Sequence, residues 1–218
     1  MKKILFLAFI ALSFCSCKDK HEASWASKHF ITEYLVATEI AVVDVNGTLC
    51  LEVSGEEYSV GQRDAKAMEL TNLYNDNDFW GGVTPGLHPA LAYPIDKVTI
   101  YSNNDFDAEH PAGEPLDDIA QFGFASYYPY ISNGYKDFQK TDDWWYYDRV
   151  RFSMPFASVN AEVTKLLCAE FTTWQISPSY VAKIEFASQP EKAGEYTFTI
   201  EMTTNGETFE TTFTHTFE

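Results

Sequence analysis

GEYTFTIEMTTNGETFETTFTHTF, residues 194–217, is the stretch that decides the fold. Tyr196, Phe198, Ile200 and Met202 fall on one side of an alternating run, with Thr197, Thr199, Glu201 and Thr203 on the other. Asn205-Gly206 follows, the pair best suited to a two-residue type I′ turn, because both positions need positive φ. Alternation then resumes from Thr208 to Phe217, with Phe209, Phe213 and Phe217 in phase. A two-residue loop pairs Met202 with Phe209, Ile200 with Thr211 and Phe198 with Phe213, so the apolar sets meet. A one-residue slip would send Phe209 and Phe213 to the opposite face from Phe198. Turn chemistry and periodicity agree on an antiparallel hairpin with one buried face.

A second Asn-Gly, at 46–47, lies between Thr38–Val45 and Thr48–Ser54. The same arithmetic pairs Val42 with Leu51 and Ile40 with Val53. Both faces are apolar here, so this hairpin is expected to be the more buried one. Further strands are expected over Lys97–Ser102, Gly123–Tyr128, Arg149–Met154, Ala169–Ile176 and Val181–Ala187. Helical signals are thin: Gln62–Tyr74, a turn or two over Leu116–Phe122, and another over Ala161–Leu167. Seven or more short strands with hairpin turns predict an all-β fold, an antiparallel two-sheet sandwich of immunoglobulin-like type with one or two short helices. The segments Asn75–Pro94 and Pro129–Trp145 are long, aromatic and rich in turn residues. Connections of that length in a compact domain are often binding loops.

The chain opens with Met1-Lys2-Lys3 and an apolar run from Ile4 to Phe14, broken only by Ser13. Eleven residues suit the core of an export signal and fall short of the roughly 20 that span a bilayer. Phe14-Cys15-Ser16-Cys17 closes the run. A small residue directly before a cysteine resembles the lipobox of bacterial lipoprotein signals, and Ser16 marks Cys17 as the lipidated residue. Several acyl chains on one cysteine anchor a protein stably where a single chain does not. Residues 1–17 are therefore expected to be a lipoprotein signal peptide, 18–27 a polar tether, and 28–218 a single β-sandwich domain.

The chain carries 32 acidic against 15 basic side chains, net −17. That excludes nucleic acid as a direct partner, since phosphate binding needs a basic face. Aromatic residues make up 16% of the chain, which excludes general disorder and supplies a large core. Beyond Cys15 and Cys17 only Cys50 and Cys168 remain. An oxidising compartment permits a disulfide between them; two buried thiols are the other reading.

No catalytic constellation stands out, and a non-enzymatic protein is expected. Gly-x-Ser-x-Gly, His-Glu-x-x-His and Cys-x-x-Cys are all absent from the exported part. His215 is in phase with Phe213 and is expected to lie near Tyr196 as an ordinary strand residue. The acidic runs Asn103–Glu109 and Asn75–Asp78 read as solvated turns, with neither metal nor cofactor expected. Trp144, Trp145, Tyr146 and Tyr147 are the candidate ligand-binding residues. Flat rings stack on sugar faces, and Asp142 and Asp143 stand beside them to take hydroxyls. Packing beneath a long loop is the competing reading of those four.

Two stretches carry a resemblance. One runs Val98-Thr-Ile-Tyr-Ser102, Asn104-Asp105-Phe106, His110-Pro-Ala-Gly113 and Leu116-Asp-Asp-Ile119; the other is the closing hairpin with Asn205-Gly206. Together they resemble a domain-of-unknown-function family of gut bacteroidete lipoproteins. The resemblance implies an exported single-domain protein and supplies no catalytic residues. The expected function is a lipid-anchored envelope protein that binds a glycan or another surface ligand. The alternative is a structural subunit that meets another envelope protein. In both cases the N-terminal lipid is the contact with the membrane.

Overall fold

A computed structural model describes residues 28–79, 88–136, 149–169 and 180–218. The strands are β1 (Glu33–Val45), β2 (Thr48–Ser59), β3 (Pro89–Leu91), β4 (Ile95–Ser102), β5 (Ala120–Ser126), β6 (Val150–Pro155), β7 (Tyr180–Phe186), β8 (Gly194–Thr204) and β9 (Glu207–Phe217). The helices are α1 (Ala65–Leu73) and α2 (Tyr128–Ser132). The strands form two sheets, ordered β3-β1-β2-β7-β5-β6 and β4-β8-β9. The protein is an all-β two-sheet sandwich; every strand pair is antiparallel except β1 with β3.

The closing hairpin has the register its sequence predicts: Met202 faces Phe209, Ile200 faces Thr211 and Phe198 faces Phe213. Asn205 and Gly206 take φ of 52° and 77°, as a type I′ turn requires. Likewise Val42 faces Leu51 and Ile40 faces Val53 in the first hairpin. Tyr196, Phe198, Ile200 and Met202 are buried against Leu51, Val53, Phe122, Phe124 and Ile184 of the larger sheet. This inter-sheet layer is the main core. Each such side chain taken from water contributes about 1.5–3 kcal/mol, most of it offset by lost chain entropy.

The first hairpin is irregular at one point. Its register shifts between Ala37 and Glu39, leaving Thr38 as the extra residue of a bulge. Gly55, opposite Ala37, is forced: a Cβ there would stand 1.8 Å from the carbonyl oxygen of Val36.

A second apolar cluster covers the other face of the larger sheet. It joins Tyr34 of β1, Ala90 of β3 and Ala125 of β5 to Phe30, Leu70, Tyr74, Tyr127 and Ile131. Here α1 supplies Ala67 and Leu70. Asp64 caps that helix, its side chain accepting from the Lys66 backbone N–H at 2.7 Å.

Several local expectations change. Residues 117–119 form only a turn, and Ala120–Phe122 belong to β5. Pairing with β6 and β7 there outweighs local helical preference. Ala161–Leu167 is a run of turns whose Thr164 hydroxyl bonds the backbone of Ile95, so tertiary contacts hold it rather than a helix. The expected strand Ala169–Ile176 lies outside the described residues apart from Ala169. Strand β3 and helix α2 carried no sequence signal.

Candidate functional site

Phe30 sits at the centre of an aromatic assembly at the edge of the second cluster. Its ring stacks on His88 at 4.3 Å and meets Phe79, Tyr127 and Tyr130 edge-on at 5.2, 5.4 and 5.1 Å. Tyr135 adds edge contacts to Phe79 and Tyr130 at 5.4 and 5.8 Å. Edge-to-face pairs set the positive rim of one ring on the negative face of another, so the assembly is geometrically specific. Phe30 and Tyr127 are buried, whereas Phe79, Tyr128, Tyr130 and Tyr135 keep part of their surface in solvent.

Asp76 fixes this assembly in place. Its carboxylate is fully buried and accepts from the backbone N–H of Phe30 at 2.9 and 3.0 Å, from Ile31 N–H at 2.8 Å, and from the Tyr135 hydroxyl at 2.8 Å. His29 Nδ1 donates to the Asp76 carbonyl at 2.6 Å. Burial pushes the Asp76 carboxyl above its usual range, against the pull of these donors. Burial, then the charge of Asp76, raises the Tyr135 phenol further, so it stays a proton donor at all ordinary pH. The sequence placed Asp76 in a solvated turn; it is instead the clasp that ties Phe30 and Ile31, just ahead of β1, to two aromatic loops. No local pattern could reveal this, because its partners lie 45 to 59 residues away.

Further along the same face, the Arg149 guanidinium lies over the Tyr127 ring at 5.3 Å and the Lys165 ammonium over Tyr128 at 5.2 Å. The Tyr127 hydroxyl takes a hydrogen bond from Cys168 Sγ at 2.9 Å. Cys50 lies elsewhere, on β2 opposite Lys183 of β7. Both sulfurs are buried thiols and no disulfide joins them, so of the two readings of this pair the structure has the unbridged one.

The candidate ligand residues Trp144, Trp145, Tyr146 and Tyr147, and the lipidation candidate Cys17, lie outside the described residues. The described ends of two aromatic stretches do meet here. Phe79 and His88 lie within the first, on either side of residues 80–87, Tyr135 and Arg149 lie on either side of residues 137–148, and all four touch Phe30 or its ring neighbours.

The acidic run after β4 is a strap. Asn103 Oδ1 accepts from Thr197 N–H at 3.0 Å, Asp105 Oδ1 from Ala112 N–H at 2.9 Å, and Asp107 Oδ1 from the N–H groups of Glu109 and His110. These carboxylates cap backbone donors, and no trio of His, Cys, Asp or Glu among the described residues could hold a metal ion. Phe106 plugs the strap into the core against Phe186, Tyr196 and Phe217. His110 stands between Asp107 at 2.7 Å and Asp118 at 3.1 Å, with both ring nitrogens so engaged. His215 pairs with Tyr196, as its phase predicts, and stacks on Phe186.

Comparison with family models, curated proteins and solved structures finds no match to this chain. Among the described residues no helix is long and apolar enough to cross a membrane.

Proposed function

We propose that this protein is a non-enzymatic binding module of a bacterial envelope, anchored through lipid on Cys17, whose aromatic end takes up a glycan. The observation that carries the reading is the Phe30 assembly. It holds half-buried Phe79, Tyr130 and Tyr135 beside the departure points of the stretches that bear Trp80 and Trp144 to Tyr147. Rigid rings on a clasped scaffold lose little entropy on binding, which is what a stacking site for sugar faces needs. The signal-like first seventeen residues, the polar tether and the resemblance to gut bacteroidete lipoproteins support the envelope assignment.

A second reading has one observation behind it. Strand β9 is eleven residues long and, among the described residues, pairs with β8 alone at the end of its sheet, an edge that suits a structural contact with another envelope protein.

Tryptophan fluorescence of the chain from Lys18 onward, titrated with host and plant polysaccharides, separates the two. A saturable shift that disappears in Trp144→Ala or Trp145→Ala is expected. A flat response across the panel with blue-shifted emission overturns the glycan reading and leaves the edge-pairing one.

A further inference from the structure

Strand β9 ends the smaller sheet with one side free. In a two-residue hairpin the pair next to the turn is hydrogen-bonded both ways, and bonded pairs alternate from there. Glu207, Phe209, Thr211, Phe213, His215 and Phe217 therefore direct their backbone groups to β8. Thr208, Glu210, Thr212, Thr214 and Thr216 turn theirs outward, and their side chains are exposed. Among the described residues no backbone group meets that outward row.

The other end strands are guarded. On β4 the outward carbonyls of Ile100 and Ser102 accept from the N–H groups of Leu116 and Gly113, both at 2.8 Å, and the Ile100 N–H donates to Asp117 Oδ1 at 2.9 Å, so the strap covers that edge. Strand β3 is three residues long, begins on Pro89 and is joined to residues 167–169, Leu91 N–H donating to the Leu167 carbonyl at 2.8 Å. Strand β6 is six residues long, carries Arg151 and ends on Pro155. Strand β1 runs on past β3, but the Thr38 bulge breaks its ladder. Short strands, proline, cations, bulges and covering loops are the devices that keep sheet edges from pairing. Strand β9 has none of them: its eleven residues pair with β8 without a bulge and include no proline, lysine or arginine.

A second copy of the same strand fits this edge. Full overlap of two antiparallel β9 strands puts Thr212 on a two-fold axis, with every outward group meeting an outward group; a one-residue shift would set outward groups against inward ones. Thr208 then faces Thr216 of the second copy, and Glu210 faces Thr214, so no carboxylate opposes another. Threonine pairs across a ladder are favourable. One already spans this hairpin, the Thr203 and Thr208 hydroxyls lying 3.0 Å apart. On the inner row half-buried Phe209 faces His215 of the second copy, and Thr211 faces Phe213. The net charge of −17 opposes self-association at long range, but salt screens that beyond about 8 Å, and at the edge each glutamate meets a neutral residue.

We infer that β9 pairs edge to edge with β9 of a second copy of this chain, joining two smaller sheets into one continuous sheet about an axis through Thr212. This takes up the open edge behind the structural reading above and gives it an occupant; it is independent of the glycan reading.

The test is sedimentation equilibrium of the full-length protein in a density-matched detergent, at up to about 200 μM. A reversible monomer–dimer equilibrium is expected. Thr214→Glu sets two like-charge pairs with Glu210 and is expected to weaken dimerisation roughly threefold or more, while Thr214→Lys sets two ion pairs and tightens it by a similar factor. Thr214 is exposed, so both variants keep the fold, which circular dichroism checks. Oxidation reads the register. Thr212→Cys brings two thiols to the axis at a Cα spacing of about 5.5 Å, which a disulfide spans, whereas those of Glu210→Cys lie about 13 Å apart along the strands and cannot meet. Covalent dimer is expected from Thr212→Cys alone, above the background that the unsubstituted protein sets with its native cysteines. A monomer throughout, a dimer indifferent to charge at position 214, or equal cross-linking at 210 and 212 each overturns the proposal, and none of these outcomes bears on the glycan titration.

Discussion

Tyr135 donates its hydroxyl to Oδ1 of Asp76 at 2.8 Å, a bond between residues 59 positions apart that ties one aromatic loop to another. The same carboxylate holds the N–H groups of Phe30 and Ile31, so one buried anion organises three separate stretches. Both carboxylate oxygens accept from donors. In Asp76→Asn the amide would turn its NH2 toward one of those donors and leave it unsatisfied. We expect a loss of about 3 kcal/mol by urea denaturation, and about 1.5–3 kcal/mol for Tyr135→Phe, which removes one bond to a charged group. If Asp76→Asn unfolds at the wild-type midpoint, the clasp contributes nothing.

Gly55 and the Val36 carbonyl set a second expectation. A Cβ on residue 55 would lie 1.8 Å from that oxygen, so Gly55→Ala must displace the β1–β2 backbone. The expected cost is about 3 kcal/mol or more, in the range of overpacking with backbone strain. Gly123→Ala is the control. Its Cβ would meet Lys183 at 3.7 Å, an ordinary contact, and the change is expected to stay within about 1 kcal/mol. Equal denaturation midpoints for the two variants would contradict the close approach.

What the sequence made legible is what local pattern encodes. Asn-Gly turns and period-two alternation set the register of both hairpins next to their turns, because a slip would expose Phe213 or Leu51, but not the Thr38 bulge or the extension of the first hairpin to Glu33 and Ser59. Strand order was not legible: β7 enters between β2 and β5, and no local signal records that choice. The candidate site was legible in composition only. Loops dense in Tyr and Trp announced themselves, yet Phe30, which meets the described rings Phe79, Tyr127 and Tyr130, carried no sequence signal, and Asp76 looked like an ordinary residue of an acidic turn. Their role comes from contacts across more than 40 residues, which pairwise tertiary packing decides.

His110 gives a pH dependence whose sign follows from its neighbours. Burial lowers its pKa, but hydrogen bonds to Asp107 and Asp118 outweigh that and raise it above the ordinary value of 6.5. The folded state therefore holds the proton more tightly than the unfolded chain. The resulting stability is fully present below the unfolded pKa of about 6.5 and is lost as pH rises through the folded value. A neutral imidazole has one N–H and so cannot donate to both carboxylates. NMR titration is expected to place the His110 midpoint above 6.5 and to lower it in Asp107→Asn. A midpoint at or below 6.5 would mean the two carboxylates do not hold the proton.

The two thiols yield the last expectation. Cys50 and Cys168 are both buried, and burial raises the Cys50 thiol, which cuts the thiolate fraction that reacts. Cys168 Sγ is held at the Tyr127 hydroxyl, while Cys50 sits opposite Lys183, so closing a bridge would break the packing around Tyr127. In the chain from Lys18 onward these are the only cysteines. A thiol reagent is expected to titrate close to none in the folded protein and two per chain after unfolding without reductant. Two fast-reacting thiols in the folded state would contradict their burial. None after unfolding would mean that they are joined in the oxidised protein, and Cys168 would then have to leave the Tyr127 hydroxyl.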